Sequence, residues 1–218
     1  MKIKYNITLF YIVIYYMLSN FELVRLSQKM RLPLERICFK NELSEQPLKY
    51  NVGYIINSQD DVDEETGEDN VGAHWTALYV AKTKDGRIEP LFFDSFGAPP
   101  AEDIKKYVAP HYLPYFTKDI QSLMADCCGF YCLAYLYFVS TSTIGRTGNL
   151  YQDGETFIDL FDDLNKSNDW KKNEWILSQF FQAKEEKHRR DINVFCEDKQ
   201  SQEQASTHQQ CAVDVKYV

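Results

Sequence analysis

HWTALYVAKTKDGRIEPLFFD, residues 74–94, carries two β-rich runs, His74 to Val80 and Ile88 to Asp94, on either side of Lys84-Asp85-Gly86. Two such runs around a short glycine-containing turn spell a β-hairpin. If Lys84-Asp85-Gly86 is a three-residue loop with Gly86 left-handed at the bulge, Thr83 pairs with Arg87, His74 faces Phe96 and Asp94 faces Thr76. His74 and Asp94 then share one face as a diagonal pair, roughly 7 Å apart at the backbone and within side-chain reach. A two-residue Asp85-Gly86 loop would put them on opposite faces. The turn therefore decides whether an imidazole and a carboxylate meet at the end of this hairpin.

Farther along, Cys128 to Val139 (CGFYCLAYLYFV) is apolar on nearly every side, the pattern of a buried helix. Cys128 opens it, and a cysteine at a helix N-terminus feels the macrodipole and unpaired N–H groups, which favour thiolate over thiol. Beside a histidine such a group is an activated nucleophile. The arrangement assigns Cys128 as nucleophile, His74 as general base and then acid, and Asp94 as the group orienting the imidazole. Gln121, seven residues upstream in a loop, and the Cys128 backbone N–H are the donors for a tetrahedral oxyanion. Gly129 after the cysteine leaves room for a substrate to approach. Each residue also has a plainer reading: a packed strand histidine, a turn-opening aspartate, a buried thiol. Cys127 and Cys132 compete as nucleophiles, although Cys132 sits one turn inside an apolar helix and Cys127 lacks a following glycine. His111, between Pro110 and Pro114, competes as the base.

Around this centre, Phe21 to Met30 reads as a short amphipathic helix, and Tyr50 to Asn57 as a strand. Ser58 to Asn70 carries seven acids and no base and reads as a solvated loop; counting from Asp61, Thr66 stands where a calcium loop of the EF-hand type needs glycine. A short helix is expected near Ala101 to Val108. Phe157 to Phe181 reads as two amphipathic helices, one marked by Phe157, Leu160, Phe161 and Leu164, the other by Trp175, Ile176, Phe180 and Phe181. The organisation expected is an N-terminal apolar extension over 1–19, one domain over 20–183, and a polar tail over 184–218. Ile7 to Leu18 is an apolar run of twelve after Lys2 and Lys4. It falls short of the roughly 20 residues that span a bilayer, and no small-residue cleavage site follows it, so a packed segment is preferred to a secretion signal.

Composition removes several function classes. The 218 residues carry 24 Lys and Arg against 32 Asp and Glu, a net charge of −8, so no basic field steers the chain toward nucleic acid or an anionic membrane. Fifteen tyrosines and fourteen phenylalanines promise an aromatic core. Six cysteines, three of them within residues 127–132, form no disulfide framework, and no CxxC pair at ligand spacing suggests a metal. No metal and no cofactor are expected.

His74-Trp75, then Phe93-Asp94-Ser95-Phe96-Gly97, then Gln121, then Cys128-Gly129-Phe130-Tyr131-Cys132, resembles in order the adenovirus-type (adenain-like) cysteine proteases, of the same clan as the ubiquitin-like-protein-specific proteases. Within that family the chain is most similar to the maturation proteases of virophages and Polinton-type elements. That likeness is carried by Ile37-Cys38-Phe39-Lys40-Asn41-Glu42-Leu43, Tyr54-Ile55-Ile56-Asn57 and the late Asn173-Glu174 with Leu177 and Phe180-Phe181. The resemblance spans about residues 20–181. It implies an α+β fold whose central, mostly antiparallel sheet packs against the helix bearing the cysteine. It further implies a viral endopeptidase trimming capsid or core precursor proteins, acting in the host cytoplasm or viral factory and packaged in the virion. The scissile bond would follow Gly-Gly or Gly-small sequences held in a groove flanked by Trp75. The activating peptide and DNA of the adenovirus enzyme are not carried over, since no matching cysteine or basic stripe is present. Rival readings are a deconjugase of ubiquitin-like modifiers, an acyltransferase on the same scaffold, and an inactive peptide-binding module.

Overall fold

The computed structural model describes residues 17–141, 148–167 and 169–181. The chain divides into two compact units, Met1–Gln179 and Phe180–Val218. In the second, the described residues are Phe180 and Phe181, whose rings meet edge to face at 5.3 Å. Everything else below concerns the first.

The first unit is α+β, built on a four-stranded sheet in the order β1 (Leu34–Phe39), β2 (Val52–Asn57), β3 (Trp75–Lys82), β4 (Ile88–Phe93). β1 runs parallel to β2, and the other two pairings are antiparallel. The β3–β4 turn has the three-residue form: Lys82 stands opposite Ile88, Thr83 N–H donates to the Arg87 carbonyl at 2.9 Å, and Gly86 takes φ +87°. A left-handed residue at that bulge is what glycine supplies without steric cost.

Alternation along the central strands serves two packed faces. Tyr54, Ile56, Leu78, Val80 and Phe92 join Ile104 and Val108 of α2 (Glu102–Val108) in one cluster. On the other face lies α3 (Cys128–Thr141), buried at every residue from Cys128 to Leu136. Tyr135 stacks on Phe93 of β4 with ring centroids 4.5 Å apart, and Leu136 fills the space above Gly53. A helix apolar all round is accounted for by being enclosed all round.

α1 (Asn20–Met30) begins at Ser19, which closes a capping box with Glu22, and ends at Arg31 in the left-handed conformation. Leu18, just ahead of the cap, is itself buried. Two expectations change. A helix after residue 148 begins and ends earlier than its apolar spacing suggested: α4 is Leu150–Ile158, capped by Asn149, and it leaves Leu160 half exposed beyond its end. A further helix, α5, opens at residue 170, but its buried face is Asn173, Glu174, Leu177 and Ser178, while Trp175 is exposed. Two of the polar residues hydrogen-bond inside the fold, Asn173 to the Ile120 and Asp162 carbonyls and Ser178 to the Trp175 carbonyl. The acidic stretch is the exposed loop expected, closed on itself: Val62 bridges to Asp69, and Asp63 accepts from Glu65 N–H, Thr66 N–H and the Thr66 hydroxyl. Among the described residues no helix is long and apolar enough to cross a membrane. The expectations for the apolar run before Met17 and for the tail after 183 lie outside the described residues.

Candidate active site

The register that keeps His74 and Asp94 on one face is the one observed, and the two side chains meet. His74 Nε2 lies 3.1 Å from Asp94 Oδ1, just beyond the paired ends of β3 and β4. The Phe96 ring covers the imidazole with centroids 4.7 Å apart. Asp94 is buried, and its Oδ1 also accepts the Phe96 N–H at 2.7 Å. That second bond holds the carboxylate still while it orients the ring.

Cys128 closes the arrangement from the third element. Its sulfur accepts the Trp75 main-chain N–H at 3.5 Å, and Cys128 lies close enough to raise the His74 pKa. With Nε2 committed to Asp94, Nδ1 is the ring nitrogen left for the sulfur. Burial by itself would lower the His74 pKa; the Asp94 carboxylate and Cys128 outweigh it and hold the imidazole at about 9, above its ordinary 6.5. The imidazolium is thereby favoured through neutral pH.

The competing groups are placed differently. Burial pushes the Cys127 and Cys132 thiols up, so both stay protonated. Cys132 donates its S–H to the Trp75 carbonyl at 3.3 Å, and the main-chain carbonyl of Cys127 accepts Phe130 N–H and Tyr131 N–H at the start of α3. Cys38 is likewise pushed up, to about 12, by burial. These four cysteines are free thiols; Cys196 and Cys211 lie outside the described residues. His111 lies with Tyr112 and Pro114 against β4, lining a cavity of about 300 Å³ that includes neither Cys128 nor Asp94.

Gln121 is buried in the loop ahead of α3. Its Oε1 accepts the Ser95 hydroxyl at 2.8 Å, and its Nε2 donates to the Ala125 carbonyl at 2.5 Å. An amide nitrogen has two protons, so one remains beyond the bond to Ala125, and the Cys128 and Gly129 N–H groups precede the first N–H bonds of α3, those of Phe130 and Tyr131. Its loop is held by residues that sequence reasoning did not single out for the site. Ile120 and Gln121 both donate their N–H to the Ser95 carbonyl, and the Ile120 carbonyl accepts from Tyr131 Oη and Asn173 Nδ2. The available signals were Ser95 next to Asp94 and a polar Asn173 within an amphipathic run.

Trp75 and Gly129 are placed by the N-terminal side of the fold. The Trp75 indole is buried and donates Nε1–H to the Leu18 carbonyl at 2.8 Å. It also borders a cavity of about 540 Å³ shared with Leu18, Ile37, Phe39, Val71 and Gly72. At Gly129 a Cβ would lie 3.2 Å from both Leu18 and Leu23, so what this glycine admits in the structure is α1 and the residue before its cap. In the loop between Gln121 and Cys128, Leu123 and Met124 are 85% and 91% exposed. Among the described residues no group of three or more His, Cys, Asp or Glu side chains is arranged to hold a metal ion. No family model matches this sequence, and no curated protein matches it.

Proposed function

We propose that this chain is a cysteine endopeptidase of the adenain-like type, cutting viral capsid or core precursor proteins during particle maturation. The observation that carries the reading is one histidine held between a buried carboxylate and a cysteine at the start of a helix. In this reading the Cys128 thiolate attacks the scissile carbonyl, and the oxyanion is met by the free Gln121 amide proton and the Cys128 N–H. The His74 imidazolium gives its proton to the departing amine, leaving a thioester on Cys128. Neutral His74 then takes a proton from water, whose oxygen attacks the thioester, and the acid product leaves as the thiolate is restored. Asp94 holds the imidazole in the tautomer both steps require.

The recessed sulfur supports a small residue before the cut. Cys128 is only 3% exposed, so the chain that reaches it must be narrow, and Gly-Gly satisfies this with no side chain. Incubating virion structural proteins with the protein and with Cys128→Ala, then mapping new termini by mass spectrometry, tests the reading. Cys128-dependent cuts after Gly-Gly or Gly-small sites are expected. No Cys128-dependent cut in any structural protein would overturn it. Ubiquitin-like conjugates cleaved far faster than short peptides would transfer the chemistry to a deconjugase.

A further inference from the structure

Asn57, the last residue of β2, is fully buried where the chain delivers His74 to the site. It stands opposite Trp75 in the β2–β3 ladder. Its Oδ1 accepts the Gln59 N–H at 3.1 Å and the Ala73 N–H at 3.4 Å, while the adjoining Ser58 N–H donates to the His74 carbonyl at 2.9 Å. Both the residue before His74 and His74 itself are thus tied to the stretch 57–59. Exchanging the oxygen and nitrogen of the amide would turn an NH₂ group toward two N–H donors, so the backbone fixes which way it faces.

Nδ2 then points the other way, is buried, and has no partner. It lies against Gly72, which takes φ +86° and has no room for a Cβ beside that nitrogen. A buried donor without a partner is costly, and a leucine of similar size would avoid it. What leucine lacks is the acceptor that holds Ala73.

We propose that Asn57 is a positioning residue for His74: its side-chain oxygen and the glycine at 72 set the 72–74 turn, and the turn sets the imidazole between Asp94 and Cys128. This rests on the proposed role of His74 toward Cys128. Asp94 and Cys128 are the ionisable groups acting on the ring, and Phe96 covers it with an uncharged face.

The test compares Asn57→Leu, Asn57→Asp and Gly72→Ala in the full chain. It reads His74 titration by NMR, the pH profile of iodoacetamide alkylation at Cys128, and hydrolysis of a fluorogenic peptide ending in Gly-Gly. In Asn57→Leu the His74 midpoint should fall from about 9 toward 6.5, the alkylation profile should change with it, and kcat should drop about 100-fold with KM within about threefold. Asn57→Asp keeps the accepting oxygen and should hold the midpoint at or above the parent value. Should Asn57→Leu not fold, Gly72→Ala carries the test, because it leaves Asn57 in place, crowds its Nδ2, and should give the same fall. A folded Asn57→Leu or Gly72→Ala with unchanged His74 titration overturns the proposal. So does failure of all three variants to fold, which would make Asn57 a folding residue. Titration and alkylation read the His74–Cys128 pair directly, so a protein that cleaves no peptide would count against proteolysis and not against this role.

Discussion

The main-chain N–H of Trp75 donates to the sulfur of Cys128, and the carbonyl of the same residue accepts the S–H of Cys132 one turn farther along α3. One strand residue thus holds both sulfurs on that side of the helix and places Cys128 beside His74. The two thiols differ in what else they meet. Cys132 is wholly buried with its S–H on a carbonyl, whereas Cys128 lies beside an imidazole already bound to a carboxylate.

That difference predicts which cysteine is essential. Cys128→Ala should lower peptidase turnover by about 10⁴-fold or more with little change in melting temperature, since a single sulfur at a helix start is removed. Cys127→Ala and Cys132→Ala should keep turnover while losing some stability, because both side chains are wholly buried. A dead Cys127→Ala beside an active Cys128→Ala, assayed on the same peptide, would relocate the nucleophile.

His74 titration should be visible in both spectra and stability. The folded pKa of about 9 exceeds the ordinary 6.5, so the imidazolium contributes its full stabilisation below about 6.5 and loses it as pH rises through about 9. Asp94→Asn removes the carboxylate charge while burial persists, and the NMR midpoint should move down toward or below 6.5. Thermal melts across that window should decline less in Asp94→Asn than in the parent protein. Superimposable NMR titrations would mean that Asp94 does not act on the ring.

Gln121 depends on Ser95 for its orientation. Gln121→Ala should cost about 10²–10³-fold in kcat with little change in KM, as expected for a donor used at the transition state. Ser95→Ala leaves the amide but frees its oxygen, so a smaller loss of the same kind is expected. Steady-state kinetics in which KM rises and kcat holds would assign Gln121 to ground-state binding.

Trp75 carries two loads that substitution can separate. Trp75→Ala should destabilise the fold by about 3–5 kcal/mol, the usual cost of emptying a buried indole site. It should also relax the preference for glycine before the cut. Trp75→Phe keeps most of the ring volume and loses the bond to the Leu18 carbonyl, so a smaller stability loss with glycine preference retained is expected. Peptide-library profiling and denaturant melts of the two variants give the comparison.

Gly129 and Leu18 should be energetically coupled. Gly129→Ala sets a methyl 3.2 Å from Leu18 and Leu23, an overpacking of about 1–3 kcal/mol. Leu18→Ala opens space at the same point, so the double variant should be more stable than the sum of the two losses predicts. Strict additivity in a denaturant double-mutant cycle would show that Leu18 and α3 do not press on each other.

How much of this was legible in advance follows from the range of each signal. The hairpin register is local: a Lys-Asp-Gly turn with glycine at the bulge sets which residues face each other for the whole length of the ladder, and so brings His74 to Asp94. The α1 cap is local too, Ser19 and Glu22 being three residues apart. The burial of α3 follows from composition, but a helix apolar on every side carries no stripe to say which residue faces the sheet, so the meeting of Cys128 with Trp75 was settled by packing across 53 residues. The same holds for Gly129 against Leu18, for Asn173 reaching the Ile120 carbonyl, and for Asn57 beneath the turn before His74. In each of these a small or polar residue is spent on a contact distant along the chain. The sequence by itself pointed to β2, β3 and β4, to the hairpin register a three-residue turn sets and to the order of the candidate site residues, because those depend on neighbours within a strand or a hairpin; β1 and its parallel pairing with β2 were not legible in it. The tertiary structure alone decided which of three clustered thiols meets the histidine and what holds the histidine in place, because both depend on how β3 lies against α3.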